Sequence, residues 1–250
     1  MGRLKEVSSA SAPEDYLRRA RDAPSWEERA AYASDGLARA SADPDAEVDT
    51  RFLLLRQLYL AQLEGHRFRE ALSSAEAMAA LGPMRDVAHH DASRVHIATG
   101  DLPAAVSQQR LAARSAPPDR RSFQLWNLAN LLHRHGDLDG ALGALERAER
   151  WSKEDRPLIV AHRAWIDLQA GRAVEGLDRI VATLEASRVG AGIGRWVLGM
   201  IAHEMGDRRA AAVHLRAFLR RHSAADAVQS IALREELRLA RTTLASIESD

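Results

Sequence analysis

The 250-residue chain contains no cysteine. Disulfides, thiolate metal sites, a cysteine nucleophile and a cysteine-linked lipid anchor are thereby excluded. Aromatic residues make up only 5%, which argues against a sheet-rich protein. Lysine is almost missing: it stands only at Lys5 and Lys153, so nearly all positive charge is arginine. That skew reads as the codon bias of a GC-rich bacterium. Neither sign of charge prevails, with 35 basic and 35 acidic residues and a net charge of zero. No block of like charge stands out, so nucleic acid is not an expected partner. No run approaches the roughly 20 apolar residues of a membrane span, so membrane insertion is not expected. The first residues, MGRLKEVSSASAPED, lack the apolar segment of a signal peptide. A cytoplasmic location is expected, with 1–13 as a disordered tail.

What is abundant is Ala, Leu, Arg and Glu, the composition of helices. The stretch Ser122 to Pro157 shows how they are arranged. Leu125, Leu128, Leu131 and Leu132 recur at three- and four-residue spacing, one side of a helix. Gly136 ends that helix, because glycine enters the left-handed region without a Cβ clash. Asp137 then caps a second helix by accepting its free N–H groups. Ala141, Leu142, Leu145 and Ala148 form that helix's narrow apolar stripe. Two such helices cannot bury their faces alone, whereas stacked copies can.

The pattern repeats. The small residue early in each second helix falls at Ala71, Ala105, Ala141, Gly176 and Ala211, spaced 34, 36, 35 and 35 residues apart. A turn glycine stands five before it at Gly100, Gly136, Gly171 and Gly206, while Gly65 stands six before. Asp101, Asp137 and Asp207 follow their glycines as caps; Arg172 does not. Small residues also stand twelve before the marker, at Ser93, Ala129, Ala164 and Gly199. Pro83 and Pro117 stand where helices should stop.

These units resemble the tetratricopeptide repeat (TPR) family. The segments that carry the resemblance are LLLRQLYLAQLEGHRFREALSSAEAMAALGP, SRVHIATGDLPAAVSQQRLAARSAPP, LWNLANLLHRHGDLDGALGALERA, AWIDLQAGRAVEGL and WVLGMIAHEMGDRRAAAVHLRAFL. The implied fold is an all-α, right-handed TPR-type α-solenoid of helix-turn-helix repeats with a C-terminal capping helix. Five repeats are expected over 52–223, at about 52–85, 86–119, 122–155, 157–190 and 192–223. A degenerate hairpin at 14–47 precedes them, with Ser25 and Glu28 forming a capping box. Residues 224–250 read as one helix of about 24 residues with Val228, Ile231, Leu233, Leu237, Ala240 and Leu244 on a broad face. Tyr59, Arg163 and Gln109 depart from the repeat pattern, and the register of the fourth unit is its weakest point.

No constellation with catalytic spacing emerges, so neither catalytic residues, metal ligands nor a cofactor are expected. Gly190-Ala-Gly-Ile-Gly194 resembles a phosphate loop, but no strand precedes it; it reads as a turn between repeats. His133 and His135 are two apart and face different sides. In TPR arrays the first helices line the inner face, and the resemblance implies which residues point there. From the third unit these are Phe123, Trp126, Asn127, Asn130, His133 and Arg134. His162 and Trp165 come from the fourth, Trp196, Met200 and His203 from the fifth, and His90 and Arg94 from upstream. Phe123, Trp126, Asn127, Asn130 and Arg134 share one face by spacing alone. Either these aromatics take the side chains of an extended ligand, or they fill gaps between repeats. A clamp for a terminal carboxylate is not expected, because the matching positions are mostly apolar or histidine.

The resemblance implies a non-catalytic protein–protein interaction adaptor or scaffold, binding a peptide segment or partner helix in the groove. Two alternatives are a sensor for a small signalling peptide or metabolite, and a self-assembling repeat protein, a homo-oligomer.

Overall fold

The computed structural model describes residues 12–43, 45–224 and 227–249. Every regular element among them is helical. The chain divides into two compact units, Met1–Ala88 and His89–Asp250. The expected 1–13 tail lies almost wholly outside the described residues.

In the first unit, α1 (Pro13–Asp22) pairs with α2 (Trp26–Ala42), and α3 (Val48–Glu64) with α4 (Phe68–Leu81). Ser25 caps α2 as its sequence suggests, accepting from the Glu28 N–H at 3.2 Å. The first hairpin packs on α3 through close contacts. Gly36 leaves room for Leu54 and Tyr16, where a Cβ would come within 2.8 Å of both. Phe52, Leu54, Tyr59 and Leu63 of α3 are fully buried. Arg29 holds Glu64 at 2.7 Å, and Ser74 donates to Gln62 in the interior.

The second unit contains α5 (Arg85–Thr99) from His89 on, α6 (Leu102–Ser115), α7 (Pro118–Arg134), α8 (Leu138–Trp151), α9 (Arg156–Gln169), α10 (Leu177–Ala186), α11 (Gly194–Glu204) and α12 (Arg208–Arg221). These are first and second helices of successive hairpins. One apolar core runs through them, including Leu128, Ala129, Leu145, Ile159, Ile166, Leu198, Leu215 and Phe218. The spacing of small residues is what lets them stack: at Gly199 a Cβ would meet Leu215 at 2.6 Å.

The turns follow the sequence logic closely. The left-handed residue lies five before each marker: Gly100, Gly136, Gly171 and Gly206 have φ of 70–82°. In the first repeat Gly65 has φ −77°, and His66, at φ 56°, takes the left-handed place instead. Asp101, Asp137 and Asp207 each accept from the N–H three residues on, at 3.0, 2.9 and 2.9 Å. The fourth unit departs. Gly176 is not inside its second helix but caps it in the left-handed region at φ 67°. Helix α10 therefore starts late, and only Leu184 of it is buried.

The glycine cluster at 190–194 forms a short 3-10 turn, Val189–Ala191, and the start of α11. A Cβ at Gly190 would lie 1.8 Å from the Leu184 carbonyl, so glycine there permits close packing. The expected single C-terminal helix is two: α13 (Ala227–Ala232) and α14 (Arg234–Ser249). They are interrupted only at Leu233, where backbone bonds Leu233→Gln229 and Leu237→Leu233 still run through. No described helix is long and apolar enough to cross a membrane.

Candidate functional site

The first helices of the second unit, α7, α9 and α11, place their marked residues side by side, but in two layers. The lower layer is a seam of tryptophan and imidazole rings. Trp196 and His162 are fully buried, and Trp165 and Trp126 are 4% and 9% exposed. His162 stacks on Trp165 with centroids 5.3 Å apart. Trp165 meets Trp196 edge-on at 5.1 Å and His133 at 4.5 Å. Trp126 meets His162 edge-on at 6.1 Å. Ring contacts of this kind add to the apolar area they bury. Trp196 and His162, placed among the ligand contacts on sequence grounds, are enclosed and reach no surface here.

Hydrogen bonding sets the protonation of the seam. The Gln169 side-chain oxygen accepts from His133 Nε2 at 2.6 Å. His133 Nδ1 is then the acceptor for His162 Nε2, 3.1 Å away. That leaves His162 Nδ1 as a bare acceptor without a partner. Both rings are thus neutral. Burial, and then the nearby His133, push the His162 pKa down to about 3; burial also lowers that of His133.

The upper layer faces a cavity of about 270 Å³. Its lining unites His90, Arg94, Phe123, Trp126, Asn127, Asn130 and Arg134, which are seven of the marked residues. Phe123 is 48% exposed and meets His90 edge-on at 5.4 Å. His90 bonds Gln109 at 3.0 Å. Asn127 donates to the Phe123 carbonyl of its own helix. Met200 lies elsewhere, buried, under the Thr243 hydroxyl at 3.9 Å. His203 is exposed near the C-terminus of α11.

Beyond Ser93, Ile97, Gln109, Leu131 and Ile193, the cavity is walled by Ala232, Leu233 and Glu236 from the C-terminal segment. The C-terminal helix lies across the inner face. Asn130 Nδ2 donates to Glu236 Oε1 at 2.8 Å in the interior, and Arg134 stands 3.8 Å from Glu235. Arg234 donates to the Ala98 carbonyl of α5. At the far end Arg208 and Arg216 of α12 bond the Ile247 carbonyl and Glu248, each at 2.6 Å. Leu237 and Ala240 join the core. Burial raises the Glu236 pKa, against the pull of Arg134 and the Asn130 bond. Glu235, Glu236, Gln109 and Gln169 are the site residues that sequence reasoning missed. The Glu-Glu-Leu opening of α14 was visible, but an amphipathic stripe does not say which surface it will cover.

Among the described residues no group of three or more His, Cys, Asp or Glu could hold a metal ion.

No family model matches the sequence, and no curated protein matches it. Among solved structures, a Podospora anserina putative kinesin light chain with nearly identical TPR-like repeats is similar over 80% of this chain and 97% of its own, at 16% identity and a TM-score of 0.43. The APC/C hetero-tetramer Cut9–Hcn1 is similar over 94% of this chain, at 16% identity and a TM-score of 0.52. This chain spans about half, 55%, of that structure's chain. At such identity the likeness is one of fold.

Proposed function

We propose that this chain, a tetratricopeptide-type helical solenoid by fold, is a non-catalytic protein–protein interaction scaffold that takes a peptide segment or partner helix on the inner face of its second unit. The observation that carries the reading is that this face already receives a helix. Helix α14 lies on it, held by a carboxylate-to-amide bond between Glu236 and Asn130. Around it Phe123, Asn127, Arg94 and Arg134 line an amphipathic cavity. Large aromatic and arginine side chains on a concave, partly desolvated face are what strong protein contacts use. A cytoplasmic, bacterial setting fits the composition.

A second reading, a sensor for a small ligand, is favoured by the cavity itself. Its volume, about 270 Å³, lies just below the roughly 300 Å³ where ordinary ligand pockets begin.

The test uses Phe123→Ala/Asn127→Ala, because neither side chain belongs to the buried seam. Wild type and variant are used to capture proteins from a native lysate, with circular dichroism as a folding control. Capture by the wild type alone supports the scaffold reading. Equal capture by both removes the inner face as the site.

A further inference from the structure

The fit of α14 to the inner face is uneven along its length. Past its first turns it is well matched: Ala240 is fully buried and Thr243 nearly so, and α12 closes over its end through Arg208 and Arg216. Its N-terminal turns are not. Beneath them Arg94 Nε, Trp126 Nε1 and Asn130 Oδ1 are buried without a hydrogen-bond partner. All three residues line the cavity that remains between the helix and the face. Each unpaired buried polar group is a cost that a better-matched occupant would remove. Beside the Asn130–Glu236 and Arg234–Ala98 bonds, at 2.8 and 3.1 Å, the other polar contacts there are long. Arg134 stands at 3.8 Å from Glu235, and Arg94 reaches the Val228 carbonyl at 3.4 Å.

Resting on the scaffold reading above, we propose that the first turns of α14, Arg234–Leu239, occupy the partner groove in cis, and that a partner displaces them with an amphipathic helix opening on two acidic residues followed by leucine. The chemistry of that partner is read from the surface. Arg94, Arg134 and the Asn130 amide present donors where α14 places Glu235 and Glu236. Ile97, Phe123 and Leu131 take the apolar side. A partner that also offers acceptors to Arg94 Nε and Trp126 Nε1, and a donor to Asn130 Oδ1, gains over the resident turns. Because the resident helix is tethered, its effective concentration is high, and a free copy of the same sequence binds the wild type weakly.

The experiment uses the full chain and a fluorescein-labelled synthetic peptide of residues 227–249. It is titrated into wild type and into Glu235→Arg/Glu236→Gln, which turns the Arg134 contact repulsive and keeps the buried side chain's shape. The variant should bind the peptide at least roughly tenfold more tightly, since cis competition is weakened. Equal affinity in the two proteins overturns the proposal. Hydrogen exchange on the wild type tests it without any substitution. The Leu237–Ala240 amides should exchange at least about tenfold faster than Leu128–Leu132, and faster again with saturating peptide. Exchange of both segments at one rate means that α14 is a permanent part of the core, and overturns it. A dimer formed by trading this segment, seen as concentration-dependent mass in light scattering, overturns the partner as occupant in favour of a second copy. Loss of dependence on Phe123 and Asn127 in lysate capture would sink the scaffold reading alone, because peptide exchange reads only the cis contact.

Discussion

The hairpins α7–α8 and α9–α10 occupy equivalent places in consecutive repeats, yet they are built differently. In α7–α8 a left-handed Gly136, an Asp137 cap and four fully buried small or leucine side chains in α8 make a complete unit. In α9–α10 the cap position holds Arg172, which instead pairs with Asp167 at 2.8 Å, and α10 buries one residue. Helix α9 is nonetheless as deeply embedded as α7, with Leu158, Ile159, Ala161, His162, Ala164, Trp165 and Ile166 all buried. Helix α9 is therefore held more by α11 and α8 than by its own hairpin partner. The ring seam of Trp126, His162, Trp165 and Trp196 is the physical link. That is why Trp196 and His162, whose type suggested a ligand surface, lie enclosed, and why the second helix of the fourth unit could lose its first turn.

Removing the link should have the largest effect. Trp196→Ala is expected to cost about 3–5 kcal/mol, read by urea unfolding. A loss below about 1 kcal/mol would show that the seam does not bear the fourth unit. Next, Leu145→Ala in α8 should cost about 2–5 kcal/mol as a fully buried leucine, while Ile180→Ala in α10, only half-buried, should cost markedly less. Equal losses would erase the contrast between the two hairpins.

The seam also predicts a pH dependence. In the unfolded chain His162 takes up a proton below about pH 6.5, whereas the folded pKa is about 3. The unfolded state binds more protons between these values, so stability is full above pH 6.5 and falls as pH drops through the window. The slope from this residue is at most about 1.4 kcal/mol per pH unit. His162→Gln should flatten the curve between pH 6.5 and 4, measured by chemical denaturation. An unchanged slope would mean that His162 is protonated in the fold. Glu236, raised by burial, works in the opposite sense: its contribution is present at low pH and is lost as pH rises through its folded pKa.

The smallest effects concern the turns. Asp137→Ala should cost about 1 kcal/mol through loss of a helix cap. Arg172→Ala should change stability by no more than about 0.5 kcal/mol, since its partner is a surface carboxylate. Thermal melts of the two variants side by side decide this.

Much of this comparison was readable in the sequence. The period of the markers, the glycine turns and the aspartate caps are local chemistry repeated, so they survive without knowledge of the tertiary structure. The irregular fourth unit announced itself through Arg163 and Arg172. Other features depend on distant partners. His66 rather than Gly65 takes the left-handed place because the turn closes where it does in the other repeats, five residues before the marker, and the glycine stands one residue early. The face shared by Phe123, Trp126, Asn127, Asn130 and Arg134 followed from helical spacing, but its division into buried and open layers did not. Trp126 packs against His162 of α9, whereas Phe123 is half exposed beside His90. The position of α14 was beyond reach for the same reason: Leu237 and Ala240 show that one side is buried, not against what.

The most direct test of that position is a double-mutant cycle between α7 and α14. Asn130→Ala, Glu236→Ala and the double variant are unfolded in urea alongside the wild type. With the Asn130–Glu236 bond in place, the two single losses exceed the double by about 1 kcal/mol or more. Losses that add within about 0.3–0.5 kcal/mol would contradict the placement of the C-terminal helix on the inner face, and with it the account of a groove occupied from within.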